Sequence, residues 1–454
     1  MSARMPDLAA DARPLAMSAG GALSRADFWR RVHGLERALA KHPARRWALV
    51  CEDSTWFAAG FLALANTGGD LVLPQAPQAG SLSASGAAVE AVLTDKPEDF
   101  PGFTLLATES TGIEGDMAPR LPADVAKVEF YTSGSSGTPK SVPKAFAQLR
   151  LEVEALERQW GALLGDAIMA GTVPHYHLYG VLFRVLWPLL AGRAFFVPMC
   201  LQPATLRAAV AHGDCAIVSS PAFLSRIADY AELPPSSRVK AVFSSGAPLP
   251  DPAARDLKER WGHAAIEVYG STETGGIGWR AWSGPRERAL WRPIQGAEVE
   301  LREEAAGMRL WVKSGCTWAG GWSPSGDLAE RHADGRFELL GRADDVVKFE
   351  DKRVSLAEMR TRLMSHGWVE DARLLVLPGR RSFIGAVVAL NAQGRMALAQ
   401  AGKPKVSDAL REWLRQSYEA LLIPRKWRYL DALPGNDMGK VERTRLERLF
   451  ESDA

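Results

Sequence analysis

Between residues 125 and 275, short apolar runs alternate with longer helical patterns, and this alternation constrains the fold most. The runs Val128–Tyr131, Ile168–Val173, Ala194–Val197, Ala216–Val218, Val239–Phe243 and Ile266–Tyr269 predict buried strands. Helical patterns lie between them, at Ala145–Leu164 and Pro203–Ala211 for example. Such alternation predicts an α/β fold, a parallel-rich sheet with covering helices. In sheets of this kind, ligands bind at the carboxyl ends of the strands. The loops that follow these runs are therefore the places to look for chemistry.

After Pro293 the strands become short and are separated by glycine: Glu298–Arg302, Arg309–Val312 and Phe337–Leu339. This predicts a small antiparallel or barrel-like subdomain. A second break follows Gly341-Arg-Ala-Asp-Asp345. Beyond it, Ser355-Leu-Ala-Glu358 has the form of a capping box, and Leu356, Met359 and Leu363 give one apolar face. Two strands, Ala372–Leu377 and Phe383–Leu390, and a helix from Val406 to Leu421 complete a small α+β domain. The boundaries expected are 1–341 for a large domain and 342–454 for a small one. At 454 residues, more than one domain is the ordinary outcome. The first ~20 residues, rich in Ala and polar types, are expected to be disordered.

Several classes are disfavoured. A net charge of +2 with no basic stripe argues against a nucleic-acid binder. Cys51, Cys200, Cys215 and Cys316 share no metal or redox spacing, which suits a reducing cytoplasm. The N-terminus lacks an unbroken apolar segment of the signal-peptide kind. The longest apolar stretch, Gly180 to Leu201, is interrupted by Arg184, Pro188 and Arg193. It predicts a buried helix and strand, with no membrane span.

The loop Tyr131-Thr-Ser-Gly-Ser-Ser-Gly-Thr-Pro-Lys140 follows a strand. Gly134 and Gly137 let backbone approach a polyphosphate. Thr132, Ser133, Ser135, Ser136 and Thr138 add donors, and Lys140 adds charge. It is not a Walker loop, because Pro139 stands where that loop needs glycine. A second loop, Tyr269-Gly-Ser-Thr-Glu-Thr-Gly-Gly276, also follows a strand. There Tyr269 suits stacking on a base, Thr272 a phosphate and Glu273 a Mg²⁺ ion. Ser245-Gly-Ala-Pro248 permits close approach of a flat ligand, though alone it is more simply a turn. Asp327 suits two ribose hydroxyls and Arg342 the same nucleotide, while isolated charged pieces are also ordinary solvated turns. Gly439-Lys440 alone is an ordinary loop. His175 and His177 share a face at period two if extended, yet no third metal ligand has a recognisable spacing.

Taken in order, these pieces resemble the adenylate-forming superfamily of acyl- and aryl-CoA synthetases, peptide-synthetase adenylation domains and luciferases. The resemblance runs from Tyr131 to Lys440. It implies that Tyr131–Lys140 is the phosphate loop. Tyr269, Gly270, Ser271, Thr272 and Glu273 then form the adenine and magnesium motif, with Gly246, Ala247 and Pro248 beside the nucleotide. Asp327 becomes the ribose aspartate, Asp344 the hinge and Lys440 the catalytic lysine of a mobile C-terminal domain. His177 falls at the acyl-pocket gate. Phe223, Ser245, Thr274 and Ile277 are further pocket candidates, mixed in size and uncharged, which favours an aromatic or fatty acid. The implied reaction joins a small carboxylic acid to AMP, releasing pyrophosphate from ATP with Mg²⁺. Transfer to a pantetheine thiol, of CoA or of an acyl carrier protein, follows. The alternative is an adenylation-only enzyme or a degenerate nucleotide-binding module. The chain departs from the resemblance in a short region ahead of the phosphate loop. It departs again at Asp351, where the pattern carries a glycine beside the pantetheine path.

Overall fold

The computed structural model describes residues 13–74, 76–84, 88–108, 118–133, 139–230, 232–282, 290–317, 320–343, 346–349, 352–377, 383–434 and 443–451. Among the expected site residues, Gly134, Ser135, Ser136, Gly137, Thr138, Asp344 and Lys440 lie outside the described residues, as does Asp351. Ser133 is described by its backbone only.

The described chain opens with β1 (Ala16–Ser18), β2 (Gly21–Leu23) and helix α1 (Arg25–Lys41). β3 (Arg46–Val50), α2 (Ser54–Thr67), β4 (Asp70–Leu73), α3 (Ala79–Ala84), β5 (Ala91–Thr94) and β6 (Leu105–Ala107) follow. Next comes a hairpin of β7 (Lys127–Ser133) and β8 (Pro139–Ala145). These strands form a six-stranded sheet in the order β6-β5-β3-β4-β7-β8, parallel except for the β7–β8 pair. Disorder was the expectation for residues up to about 20. Instead β1 pairs with a strand from the next unit, and Leu15 and Ala16 are fully buried. An apolar pair that completes a sheet edge outweighs the polar composition around it.

The second unit runs through α4 (Phe146–Leu164), β9 (Ile168–Gly171), α5 (Leu178–Gly180), a π-helical stretch (Val181–Leu186), α6 (Trp187–Ala191) and β10 (Phe195–Phe196). It continues with α7 (Pro203–Ala211), β11 (Cys215–Ser219), α8 (Pro221–Leu224), β12 (Val239–Ser244), α9 (Asp251–Trp261), β13 (Ala265–Ser271) and β14 (Gly275–Ala281). Strands β1, β10, β9, β11, β12 and β13 are parallel neighbours in that order. The apolar stretch from Gly180 to Leu201 is the expected buried helix and strand. Among the described residues, no helix is long and apolar enough to cross a membrane.

Beyond β14 the same sheet continues antiparallel through β15 (Leu290–Pro293), β16 (Glu298–Glu304), β17 (Gly307–Lys313), β18 (Ser323–Arg331) and β19 (Phe337–Arg342). The order from the parallel part is β14-β15-β19-β18-β17-β16. The small antiparallel subdomain is thus an extension of the large sheet, with its own core of Ile277, Trp291, Leu310, Val312 and Phe337.

The last part holds the hairpin β20 (Val346–Phe349) and β21 (Lys352–Ser355), then α10 (Leu356–Met364). β22 (Val369–Leu377), β23 (Phe383–Leu390), α11 (Ala392–Arg415), β24 (Lys426–Leu430) and α12 (Arg443–Glu451) complete it. Leu356, Met359 and Leu363 are buried as the spacing predicts. The helix expected at Val406–Leu421 is the second half of α11, which starts earlier and stops at Arg415. Gly402, at φ 78°, and Pro404 kink it, so the apolar stripe of Val406, Leu410 and Leu414 belongs to one half only.

One core lies between the two sheets. It takes in α1, α2, α4 and the helical segment 178–191, with Phe28, Phe57, Phe146, Trp160, Trp187 and Phe243 buried. Each such side chain contributes about 1.5–3 kcal/mol on leaving water. This packing buries Val128 and Phe130 of β7 and Val268 of β13 in one core.

Candidate functional site

The β7–β8 hairpin closes with Thr132 opposite Lys140 and Ser133 opposite Pro139. Its strand β7 is tied to β3, two places away in the sheet. Arg46 donates two hydrogen bonds to Glu129, both 2.8 Å, and Ser141 donates a third at 3.0 Å. The Arg46 guanidinium holds the Glu129 carboxyl below the usual carboxylate range. Thr132 and Lys140 sit at the open end, and Lys140 is 64% exposed. Its ammonium lies 3.7 Å from a carboxylate oxygen of Glu273. Two residues assigned to separate loops are therefore neighbours.

The second loop follows β13. A register shift between Tyr269 and Gly270 turns the chain, and β14 returns antiparallel. Gly270 is needed for close approach, since a Cβ there meets the backbone of Gly275 and Gly276. The hydroxyls of Ser271 and Thr274 bond at 2.9 Å, and Thr274 donates its N–H to Ser271 Oγ at 3.2 Å. Thr274 is thereby buried, whereas Thr272 is half-buried and Glu273 exposed. Beside them, Ser245 Oγ donates to the Val268 carbonyl at 2.9 Å, and Gly246 takes φ 98°. Ala247 is half-buried and Pro248 exposed in the same turn. Glu267 anchors that turn. It accepts from Leu249 N–H at 2.9 Å and pairs with Arg280 at 3.1 Å.

Tyr269, Asp327 and Arg342 come together from three strands. The Tyr269 hydroxyl donates to Asp327 Oδ2 at 2.5 Å, and Arg342 stands 3.9 Å from the same oxygen. Asp327 and Arg342 are register partners across β18 and β19. The Arg342 guanidinium lies against Gly326, where a Cβ would displace it. Burial, with Asp327 next in effect, pushes the Tyr269 hydroxyl far above its ordinary value, so it stays a donor. Its ring packs against Trp291 and Phe337.

The two histidines are not on a strand, because β9 ends at Gly171. His175 is buried with Nε2 2.8 Å from the Cys51 carbonyl and its ring against Phe57. Burial, helped by Arg184, lowers it to about 3 and keeps it neutral. His177 precedes α5, half-buried, with its ring 4.7 Å from Tyr176. Among the described residues, no group of three metal-ligating side chains exists. Phe223 is buried in the core on the far side of the large sheet, facing Tyr230. Ile277 lies in the antiparallel core beneath Tyr269.

Sequence reasoning missed a buried polar junction under the second loop. Lys144 is 4% exposed. It donates to the carbonyls of Glu273 and Cys316, both at 2.7 Å. Gln148 donates to the carbonyls of Cys316 and Thr317 at 3.1 and 3.0 Å. Glu152, 5% exposed, accepts from Gly276 N–H. Burial pushes the Lys144 ammonium down and the Glu152 carboxyl up, and each charge partly restores the other. The signal was available in α4. Glu152 sits on the stripe of Leu149, Val153, Leu156 and Trp160, where helical spacing calls for an apolar residue.

The arrangement suits a nucleotide triphosphate. Thr132 and Lys140 stand at one strand end, the Glu273 carboxylate faces Lys140, and Tyr269 on the strand before Glu273 bonds Asp327. Comparison with known proteins agrees. The family model described as AMP-binding enzyme matches residues 7–315. A 4-coumarate–CoA ligase of Rhodobacter capsulatus is 29% identical over 321 residues, covering 70% of this chain and 76% of that protein. A mitochondrial malonate–CoA ligase of Xenopus laevis is 25% identical over 382 residues, covering 70% of this chain but 64% of that protein. Among solved structures, ATP-bound MatB from Rhodopseudomonas palustris superposes with a TM-score of 0.80 at 19% identity, covering 98% of this chain and 97% of that one. At that identity the likeness speaks for the fold.

Proposed function

This chain belongs to the AMP-binding enzyme family of AMP-forming acid–thiol ligases, and on that premise we propose that it activates a carboxylic acid as an acyl-adenylate and passes it to a pantetheine thiol. The observation that carries this is the meeting of Lys140 and Glu273 at the mouth of two loops, with Tyr269 and Asp327 behind them. A carboxylate is a poor electrophile. Attack of its oxygen on the α-phosphate of ATP expels pyrophosphate and leaves AMP as a good leaving group. Positioning and charge stabilisation supply most of the acceleration.

In this reading the 132–138 loop and Lys140 bind the β- and γ-phosphates. Asp327 accepts from the ribose hydroxyls, with Arg342 beside it. Tyr269, Gly270, Gly246, Ala247 and Pro248 border the base. Mg²⁺ fits Glu273: the carboxylate is exposed beside the phosphate loop, and this ion ordinarily takes one or two carboxylates together with phosphate oxygens. When bound it would neutralise charge on the leaving pyrophosphate. His177 gates the acid pocket, with Ser245 and Thr274 at its nucleotide end and Phe223 and Ile277 behind its walls. Lys440 stabilises charge between the acid and the α-phosphate. Residues 342–454 then turn about Asp344 to admit the thiol, a hinge-type transition.

An aromatic or other short, rigid acid suits the gate best, because Tyr176 packs on His177 and Tyr179 follows it in the same segment. Asp351 at the pantetheine path favours the phosphopantetheine of an acyl carrier protein over free CoA. Both are tested in one series. Exchange of labelled pyrophosphate into ATP is measured with 4-coumarate, benzoate, malonate and a medium-chain fatty acid, then thioester formation with CoA and a holo-carrier protein. Exchange with an aromatic acid and faster loading of the carrier protein are expected. A fatty acid as best substrate, or equal loading of CoA, would overturn the corresponding choice.

A further inference from the structure

Strand β8 reaches Glu273 twice. Lys140 and Lys144 are four residues apart on an extended strand, so both side chains leave the same face. Lys140 approaches the Glu273 carboxylate from the open end of the hairpin. Lys144, at the buried end, holds the backbone carbonyl of the same residue. Three residues further on, Glu152 holds the N–H of Gly276 from α4. The segment 273–276 is thus gripped at its first carbonyl and its last amide by two buried, opposite charges.

A buried ammonium is expensive, and an apolar side chain of similar length would fill the same space without that desolvation. What the charge supplies is a directed contact. Lys144 bonds two carbonyls, of Glu273 and Cys316, that no strand pairing satisfies, and it does so from the strand that also carries Lys140. Any shift of the hairpin therefore shifts Glu273 with it. Gly275, at φ 71°, makes room for this grip, because a Cβ there would meet Glu152 and the Cys316 side chain.

We propose that Lys144 is a positioning residue that fixes the Glu273 carboxylate relative to the phosphate-binding hairpin, so that one strand sets both the phosphate and the magnesium ligands. The inference rests on the adenylation reading above. It predicts a specific kinetic signature. In Lys144→Met the Glu273 carbonyl loses its donor while the Cys316 carbonyl keeps Gln148, Glu273 moves, and the turnover for acid-dependent pyrophosphate exchange falls roughly 10–100-fold, as for a small misplacement of reacting groups. The Mg²⁺ concentration for half-maximal exchange rises several-fold, about 3- to 10-fold by the same reasoning. The KM for the acid changes less than the Mg²⁺ requirement, since Thr274 alone of the acid-pocket residues lies in the gripped segment.

The experiment measures exchange against Mg²⁺ and against acid, and Mg²⁺ binding to the ATP complex by calorimetry, where a weaker affinity is expected, for the wild type, Lys144→Met and Lys144→Arg. Loss of folded protein alone lowers the rate equally at every Mg²⁺ concentration, so a changed Mg²⁺ requirement separates positioning from stability. Lys144→Arg keeps the charge, but its larger planar head displaces the Glu273 carbonyl. It should show the raised Mg²⁺ requirement with a smaller change in the acid KM. Wild-type Mg²⁺ dependence in folded Lys144→Met, or in Lys144→Arg where Lys144→Met does not fold, overturns the inference. If the wild type exchanges with no acid in the panel, the adenylation reading falls first. If it exchanges and the variants match it, only the role of Lys144 falls.

Discussion

The two ends of β8 carry the same residue type and put it to opposite uses. At the open end Lys140 is 64% exposed and faces a carboxylate that is itself 47% exposed. At the buried end Lys144 is 4% exposed and faces only backbone carbonyls and a buried glutamate. An exposed ion pair contributes little to stability, because water screens it and both side chains give up freedom to form it. A buried charge is costly to desolvate, and it is held here by hydrogen bonds to backbone carbonyls. The open end is thus free to serve a ligand, while the buried end serves the loop that meets it.

The sharpest way to break this comparison is to remove the buried counter-charge. Glu152→Ala leaves Lys144 without one of the acids that support its charge and Gly276 N–H without its acceptor. A loss of about 3–5 kcal/mol in urea unfolding is expected. A loss below 1 kcal/mol would show that the junction is solvated and the contrast false.

Next in size is Lys440→Ala, the catalytic lysine by resemblance. Pyrophosphate exchange should fall roughly 10²–10³-fold, the usual cost of deleting one transition-state donor. ATP binding by calorimetry should persist. Retained exchange would remove Lys440 from the mechanism. Lys140→Ala should weaken ATP more than it slows turnover, on the order of tenfold in KM, with stability within about 0.5 kcal/mol of wild type. A large stability loss there would erase the difference between the two ends.

The smallest effect is a pH dependence. Arg46 holds Glu129 below its ordinary value, so this carboxylate adds stability above that value. The contribution is lost as pH falls through the lowered folded value. Glu152 runs the other way: burial raises it, so its stability cost appears as pH climbs from the ordinary to the raised value. Arg46→Met should flatten the acid limb of unfolding measured against pH by about 1 kcal/mol or less, since the pair is partly exposed. An unchanged acid limb would place the titration elsewhere.

The same contrast explains what the sequence could tell. The strands were legible because β9, β11, β12 and β13 are buried on both faces and appear as short apolar runs. The ligand-facing loops were legible because glycine, hydroxyl and lysine in that order have few other uses. The supports were not. Lys144 and Glu152 sit where the pattern calls for apolar residues, and only the fold shows that each finds partners far along the chain. The Tyr269–Asp327 bond is hidden for a similar reason, since 58 positions separate residues that two strands bring together. The same holds for His175 and His177, whose spacing suggested one shared face. One turns into the core against Cys51 and the other precedes a helix.

The central claim is that the acid is joined to AMP. Incubation of the wild-type protein with ATP, Mg²⁺ and an acid panel, followed by separation of the nucleotides, tests it most directly. AMP and pyrophosphate should appear in equal amounts, only when an acid is present, and at a rate that rises when a pantetheine thiol is supplied. ADP with phosphate, or AMP formed equally well without any acid, would contradict the account.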